Sequence, residues 1–316
     1  MQQPIAVLYE HPEWFKPLFA ELARRGVPYV ALHAAEHVYD PDERHSPFSL
    51  VVNRMSPSAW MRGQRAAIFH TLRYLEHLDE IGALVLNGAA AFRIELSKAA
   101  QYSLMARLGL RHPATRVLSR PDQALTAAAE LRYPVLIKPN IGGSGAGIQS
   151  FASPEELSDA VAAGQLEFGI DDVGLLQEHL PVADDAIVRI EIVGGEFLYA
   201  IRLLLSPGSF NLCPADYCDL PGTADGVSGR GLPIEAYDPP STIIEEARRL
   251  VAAAGMDVGG VEYLVNARDG RHYFYDVNAL SNFVADAPNL IGFNPYANLV
   301  DLIVERAGRA VEVTAA

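Results

Sequence analysis

Short apolar runs alternate with amphipathic stretches through the first third of the chain. Ile5-Ala6-Val7-Leu8-Tyr9 reads as a strand, residues from about 13 to 25 as a helix stopped by Gly26, and Pro28-Tyr29-Val30-Ala31-Leu32 as a second strand. Leu50-Val51-Val52 and Leu84-Val85-Leu86 are further strands, with helical periodicity from about 64 to 78 between them. Strands joined by helices in this order predict a small parallel α/β layer over residues 1–95.

A helix from about 98 to 108, ended by Gly109 and kept from restarting by Pro113, predicts a linker over 96–114. The pattern then becomes strand (114–118), helix (121–131), strand (133–139), a glycine-rich stretch, and strand (174–180). Between the last two, Ser153-Pro154-Glu155-Glu156 marks a helix start. These α+β segments divide into units 115–180 and 181–316. Pro and Gly crowd between Ser206 and Pro240, which predicts a long loop over a site.

Two hairpins in the last unit carry charged residues where a sheet would prefer none. Gly194-Gly195 as a two-residue turn sets Val193 opposite Glu196, Arg189 opposite Ala200 and Ile187 opposite Arg202. One face is then Val188, Ile190, Ile192, Phe197, Tyr199 and Ile201, and the other holds both arginines. Two guanidinium groups a diagonal step apart repel each other unless an anion lies between them; Glu191 is the internal alternative to a bound phosphate.

In the second hairpin, period-two alternation puts Phe274, Asp276 and Asn278 on one face. A three-residue loop, Arg268-Asp269-Gly270, brings Glu262 opposite Asp276; a two-residue loop would turn it away. Opposed acids destabilise a sheet unless a cation or proton intervenes. Glu262, Asp276 and Asn278 therefore read as oxygen ligands of a hard cation such as magnesium, with solvated strand carboxylates as the plain alternative.

Upstream lies a matching anion cradle. Asn140-Ile141-Gly142-Gly143-Ser144-Gly145-Ala146-Gly147 can bring backbone N–H groups close to a ligand, although a flexible surface hairpin would look similar. The spacing excludes both a Walker loop and the dinucleotide fingerprint. Lys138, alone among apolar neighbours in Pro-Val-Leu-Ile-Lys-Pro, favours a phosphate partner.

Composition narrows the field. With 316 residues, half of them hydrophobic, the chain can bury a substantial core. Its 25 Lys and Arg against 39 Asp and Glu argue against nucleic acid and membrane surfaces as partners. There is no leader pattern at the N-terminus and no apolar run of about 18 residues. Cys213 and Cys218 are too few for a disulfide framework, so a cytoplasmic location is expected.

Assembled in order, these parts resemble the ATP-grasp superfamily, and within it the RimK-like carboxylate–amine ligases. The resemblance rests on Val-Leu-Ile-Lys138-Pro with its glycine loop, Leu-Leu-Gln177-Glu178-His179-Leu180, Val-Arg189-Ile-Glu-Ile-Val-Gly-Gly-Glu, and Glu262 with Asp276-Val-Asn278. It implies an α/β (α+β) fold: the N-terminal layer, then two α+β subdomains clasping ATP. It implies that Lys98, Lys138 and the loop residues Gly142, Gly143, Ser144 and Gly145 reach the ATP phosphates. Gln177, Glu178, His179 and Leu180 would hold adenine, and Asp185 the ribose.

By the same resemblance Arg189 and Arg202 would stabilise the transferred phosphoryl group, Asn211 would lie near substrate, and Glu262, Asp276 and Asn278 would bind magnesium or manganese. The implied reaction joins a small carboxylate, or a peptide, to an amine through an acyl-phosphate; homo-oligomers are common in the family. A small-molecule kinase, or a catalytically weak ATP-binding protein, is the alternative. His11 and Arg54, after strands of the first unit, are candidates for substrate contacts or for purely structural roles. The chain departs from the RimK-like pattern at Ile187, where an acid is usual, at Leu203-Leu204-Leu205, where basic residues are usual, and after Asn278.

Overall fold

The computed structural model describes residues 3–143, 145–205 and 233–314. Strand β1 (Ile5–Tyr9), helix α1 (Lys16–Arg24), β2 (Tyr29–His33), β3 (Leu50–Arg54), α2 (Arg65–Glu80) and β4 (Val85–Leu86) form a parallel sheet ordered β2-β1-β3-β4. Gly26, at φ 65°, ends the first helix in the left-handed conformation that glycine adopts without strain. Helices α3 (Ala89–Glu95) and α4 (Lys98–Arg107) follow, and the Ser97 hydroxyl caps α4 by accepting the Ala100 N–H.

Strand β5 (Thr115–Leu118), α5 (Ala124–Ala128), β6 (Val135–Pro139), β7 (Gln149–Phe151), α6 (Pro154–Ala162) and β8 (Gly174–Glu178) make an antiparallel sheet ordered β5-β8-β6-β7. Helix α6 begins as its sequence signature requires: Ser153 accepts the Glu156 N–H and the Glu156 carboxylate accepts the Ala152 N–H.

The third sheet comprises β9 (Val182–Val193), β10 (Glu196–Leu204), β11 (Ile234–Ala236), then, after α7 (Ser241–Ala253), β12 (Val258–Asn266) and β13 (His272–Asn278), in the order β11-β10-β9-β12-β13. Helices α8 (Ala287–Ile291) and α9 (Pro295–Thr314) close the chain. The stretch expected to be loop up to Pro240 ends in a strand, β11, which pairs Glu235 with Arg202.

Both hairpins of this sheet carry one extra residue, and each bulge changes which side chains share a face. Past Leu198, Arg189 lies opposite Ile201 and Arg202 opposite Val188. The expected pairing of Arg189 with Ala200 is therefore off by one, and the two arginines occupy opposite faces. The bulge lets Phe197 remain with Ile192 on one face while Tyr199, Ile201 and Leu203 cross to the other, where a second apolar layer awaits them.

The other bulge is at Tyr275. The turn leaves Asn266 bonded to Arg271, with the Asn266 N–H donating to the Arg271 carbonyl at 2.8 Å, so the connection is even in length. By itself that would set Glu262 on the wrong face. The extra residue restores it: Tyr263 pairs with Phe274 before the bulge, and Glu262 with Asp276 after it. Phe274 thus leaves the face expected for it and packs with Tyr263, both at most 1% exposed, a burial worth about 1.5–3 kcal/mol for each apolar ring.

The two faces of the sheet bury different partners. Ile243, Ala247, Leu250 and Val251, on one stripe of α7, cover Val188, Ile190, Val261 and Val277. Leu299, Val300 and Ile303 of α9 pack with Ile187, Ile201 and Leu203 and also with Val7, Leu18 and Val52 of the first sheet. One core therefore joins the two ends of the chain, and the charged positions of the third sheet sit beside it.

Candidate active site

One cavity is lined from the second and third sheets and from segments that follow strands of the first, among them Trp14, Ser56 and Ser58. Lys98, Lys138, Gly142, Gly143 and Gly145 contribute to it, as do Gln177, Glu178, His179 and Leu180. So do Arg189, Glu262, Asp276 and Asn278. Ser144 and Asn211 lie outside the described residues. Two expected members are not brought in. Asp185 is exposed and its carbonyl accepts the Leu205 N–H, while Arg202 faces away and pairs with Asp184 at 3.3 Å and Glu235 at 3.5 Å.

The lysines are positioned by one asparagine that the sequence reading passed over. Asn140 accepts from the Ser97 hydroxyl at 3.0 Å and the Ala99 N–H at 2.9 Å, and its backbone carbonyl accepts the Lys98 N–H at 3.2 Å. It thus clamps the end of the Lys138 strand to the start of α4. From α4, Gln101 donates to the Val277 carbonyl at 2.9 Å and Tyr102 donates to the Tyr275 carbonyl at 2.8 Å. These two side chains satisfy backbone groups at the bulged edge strand. The Lys138 ammonium donates to the Tyr102 hydroxyl at 2.7 Å.

A second unanticipated residue, Asn87, is fully buried after β4. Its amide donates to the carbonyls of Val258 and Ala279, and its oxygen accepts from the N–H groups of Asp257 and Val258. The start of β12 and the end of β13 are pinned together by this one side chain. Its position after a predicted strand was readable; its four partners, far away in sequence, were not.

Charge in the cavity is closely paired. Lys98 meets Asp276 at 2.7 Å, and Arg189 meets Glu262 at 2.8 Å and Glu191 at 2.6 Å. Burial opposes ionisation of Asp276, but Lys98, Lys138 and Arg189 outweigh it and hold its carboxyl below the usual range. Burial pushes Glu262 up despite Arg189. Lys138, buried and facing Lys98 with only partial relief from Asp276, is lowered to about 7. Glu191 sits two residues after Arg189 on the same face and reaches its guanidinium, while the position two before it, where the RimK-like pattern expects an acid, is the buried Ile187.

The family model for the carbamoyl-phosphate synthase L chain, ATP binding domain, matches residues 98–176. The structure of the ATP-grasp ligase PsnB complexed with minimal precursor is similar over 97% of this chain and 100% of its own, with a TM-score of 0.67 and 17% identity. The chain has the fold of the ATP-grasp ligases. A RimK domain ATP-grasp protein from Sphaerobacter thermophilus is similar over 95% of this chain and 99% of its own, at a TM-score of 0.66 and 17% identity. A D-alanine–D-alanine ligase from Geobacter sulfurreducens is 27% identical over 63% of this chain, which spans only 59% of that relative's length.

For a protein of this fold the question is whether these residues fit a magnesium ion. Among the described residues no cluster of three or more His, Cys, Asp or Glu could hold a metal by itself. The donors that do converge are two opposed carboxylates and the Asn278 amide, all hard oxygen groups, and Lys98 and Arg189 already bind the carboxylates as a cation would. In donor type the set fits a hard divalent ion.

Gly260 explains how this sheet seats Arg189. It pairs with Glu191, and a Cβ there would lie 2.4 Å from Nη2 and 2.9 Å from Cζ of Arg189. Gly260→Ala is expected to displace the guanidinium and lower ATP turnover about 100-fold, while destabilising the fold by only about 1–3 kcal/mol. Turnover equal to wild type, measured beside a denaturant titration, would show that the seat of Arg189 is immaterial.

Proposed function

We propose that this protein is an ATP-dependent carboxylate–amine ligase, acting in the cytoplasm on a small amino-acid-like or peptide substrate. The observation that carries the reading is the convergence of Lys98, Lys138 and Arg189 with Glu262, Asp276 and Asn278 in the cavity that Gln177, Glu178, His179 and Leu180 also line. The apolar wall of Leu180, Val182, Ile187 and Leu264 beside that strand suits a flat base, and the glycine loop and lysines suit its phosphates.

In this reading a substrate carboxylate oxygen attacks the γ-phosphorus of ATP. The bond to the β–γ bridging oxygen breaks and ADP leaves. An amine then adds to the acyl carbon of the acyl-phosphate, phosphate departs with the electron pair, and the nitrogen loses a proton. Lys98 and Lys138 bind phosphate oxygens, and Arg189, fixed by Glu191, neutralises charge on the phosphoryl group in flight. Glu262, Asp276 and Asn278 would hold magnesium, or manganese, which when bound would offset the charge of the phosphates. Arg202 and Asp185 are left out of these roles because neither lines the cavity.

Purified protein incubated with Mg-ATP and a panel of amino acids, small carboxylates and amines tests the reading. Amine-dependent release of ADP and phosphate, with an acyl-phosphate trapped by hydroxylamine, is the expected result. ADP with a stable phosphorylated product would mean a kinase, and tight ATP binding without turnover would end the enzymatic interpretation.

A further inference from the structure

None of the roles given to Lys98, Lys138 and Arg189 takes up the proton that the amine must lose. Among the described residues lining the cavity, the carboxylates and imidazole are Glu95, Glu178, His179, Glu262 and Asp276. Glu178 and His179 belong to the segment that suits the base, where the Glu178 carboxylate accepts the Arg132 N–H at 2.9 Å. Glu262 and Asp276 are paired with Arg189 and Lys98 and are the groups that would hold the cation. That leaves Glu95.

Its place in the fold is at the phosphate end, away from the base. Glu95 is the last residue of α3, shortly before Lys98, and its carboxylate accepts the Ala279 N–H through a short hydrogen bond and the Leu280 N–H as well. Both donors come directly after Asn278, the end of β13. The cavity continues there past Trp14, which packs with Leu280, and past Ser58, which meets the glycine loop: a Cβ on Gly143 would lie 3.2 Å from Cβ of Ser58. A carboxylate and an amine that meet at the terminal phosphate must enter between that loop and Asn278, beside Glu95.

We infer that Glu95 is the general base of the amine step, drawing a proton from the ammonium of the incoming amine so that the freed nitrogen can attack. The inference rests on the ligase reading and supplies the residue which that reading lacks. The nitrogen lone pair forms the C–N bond as the C–O bond to phosphate breaks; the departing phosphate keeps that electron pair and takes the second N–H proton. Two N–H donors leave lone pairs of the carboxylate unfilled. Burial raises its carboxyl to about 7; the Ala279 N–H restrains the rise, Asp276 adds to it, and Lys98 and the Leu280 N–H oppose it. Arg54, buried at the end of β3, faces it from the first sheet. A base of that strength both takes a proton and gives it up again near neutrality.

Two nucleophiles of similar size test it, methylamine and hydroxylamine, each supplied with Mg-ATP and the carboxylate that supports turnover in the panel. At about pH 7 methylamine is almost wholly protonated and needs a base, whereas hydroxylamine is largely neutral and does not. Glu95→Gln can still accept the Ala279 N–H through its amide oxygen. It is expected to lower the ratio of methylamide to hydroxamate by about 100-fold. An unchanged ratio, which a purely structural role would give, or no methylamide from the wild type, would overturn the inference. If Glu95→Gln fails to fold, the wild type decides. With a base in place its ratio stays flat from about pH 7 to about pH 9, and a ratio that climbs about tenfold per unit means that the amine sheds its proton unaided. Neither product from the wild type would end the ligase reading as well.

Discussion

Arg189→Met should abolish amine-dependent ADP release and destabilise the fold by about 3–5 kcal/mol. Arg189 is 7% exposed, and its guanidinium is the shared partner of Glu191 and Glu262. Removing it leaves two carboxylates in a low-dielectric interior, where an unpaired charge is far more damaging than a missing pair. Loss of a preorganised donor aimed at the transferring group accounts for about 10²–10³ of the rate by itself. Adding Glu262→Gln removes one of the stranded charges, while Glu191 keeps its hydrogen bond from Ser281. The double variant should therefore recover much of the stability and none of the turnover. Urea titrations and ADP assays on the single and double variants separate the two effects. Wild-type stability in Arg189→Met would refute the pairing account, and turnover restored in the double variant would remove Arg189 from the chemistry.

ATP binding at pH 8 should take up nearly one proton, and affinity should fall with rising pH. Burial and the nearby Lys98 hold Lys138 at about 7, with Asp276 opposing them. At pH 8 the amine is mostly neutral in the free protein, and a triphosphate favours its charged form, so binding draws a proton from solvent. Above pH 7 the cost of that proton grows by up to a factor of about ten in Kd per pH unit. The folded protein without nucleotide follows the opposite trend. Because the lysine binds its proton more weakly folded than unfolded, where the ordinary value is 10.5, this group makes the fold more stable as pH rises from about 7 to 10.5. Calorimetry in buffers of different ionisation enthalpy measures the uptake, and Lys138→Arg should eliminate it. Zero uptake by the wild type at pH 8 would mean that Lys138 is already charged or does not meet the phosphates.

Much of the architecture was readable because period and punctuation agree in it. The opening strands, Gly26 and Gly109, and the Ser153 cap announce themselves locally, and the structure has an element at each. Convergence of Lys98, Lys138, Arg189, Glu262, Asp276 and Asn278 was readable through motif order. Asn140, Asn87 and Gln101 were not, since each acts through backbone groups distant in sequence, and no local pattern distinguishes such an amide from a surface one. The face of Arg202 was misjudged because alternation was extended through a bulge. Phe197 and Tyr199 are both aromatic and both look like core; only the presence of two different apolar layers, one against α7 and one against α9, tells them apart.

The bulges at Leu198 and Tyr275 bear on how roles may be carried between relatives. Along an unbroken strand, counting residues from a motif arginine or aspartate identifies side chains that point the same way. In this sheet the count is reset once in each hairpin, so a gap misplaced by a single position exchanges a cavity residue for a surface one without altering composition or charge. Length, more than residue identity, is the quantity that must match before Arg202 is equated with an arginine elsewhere.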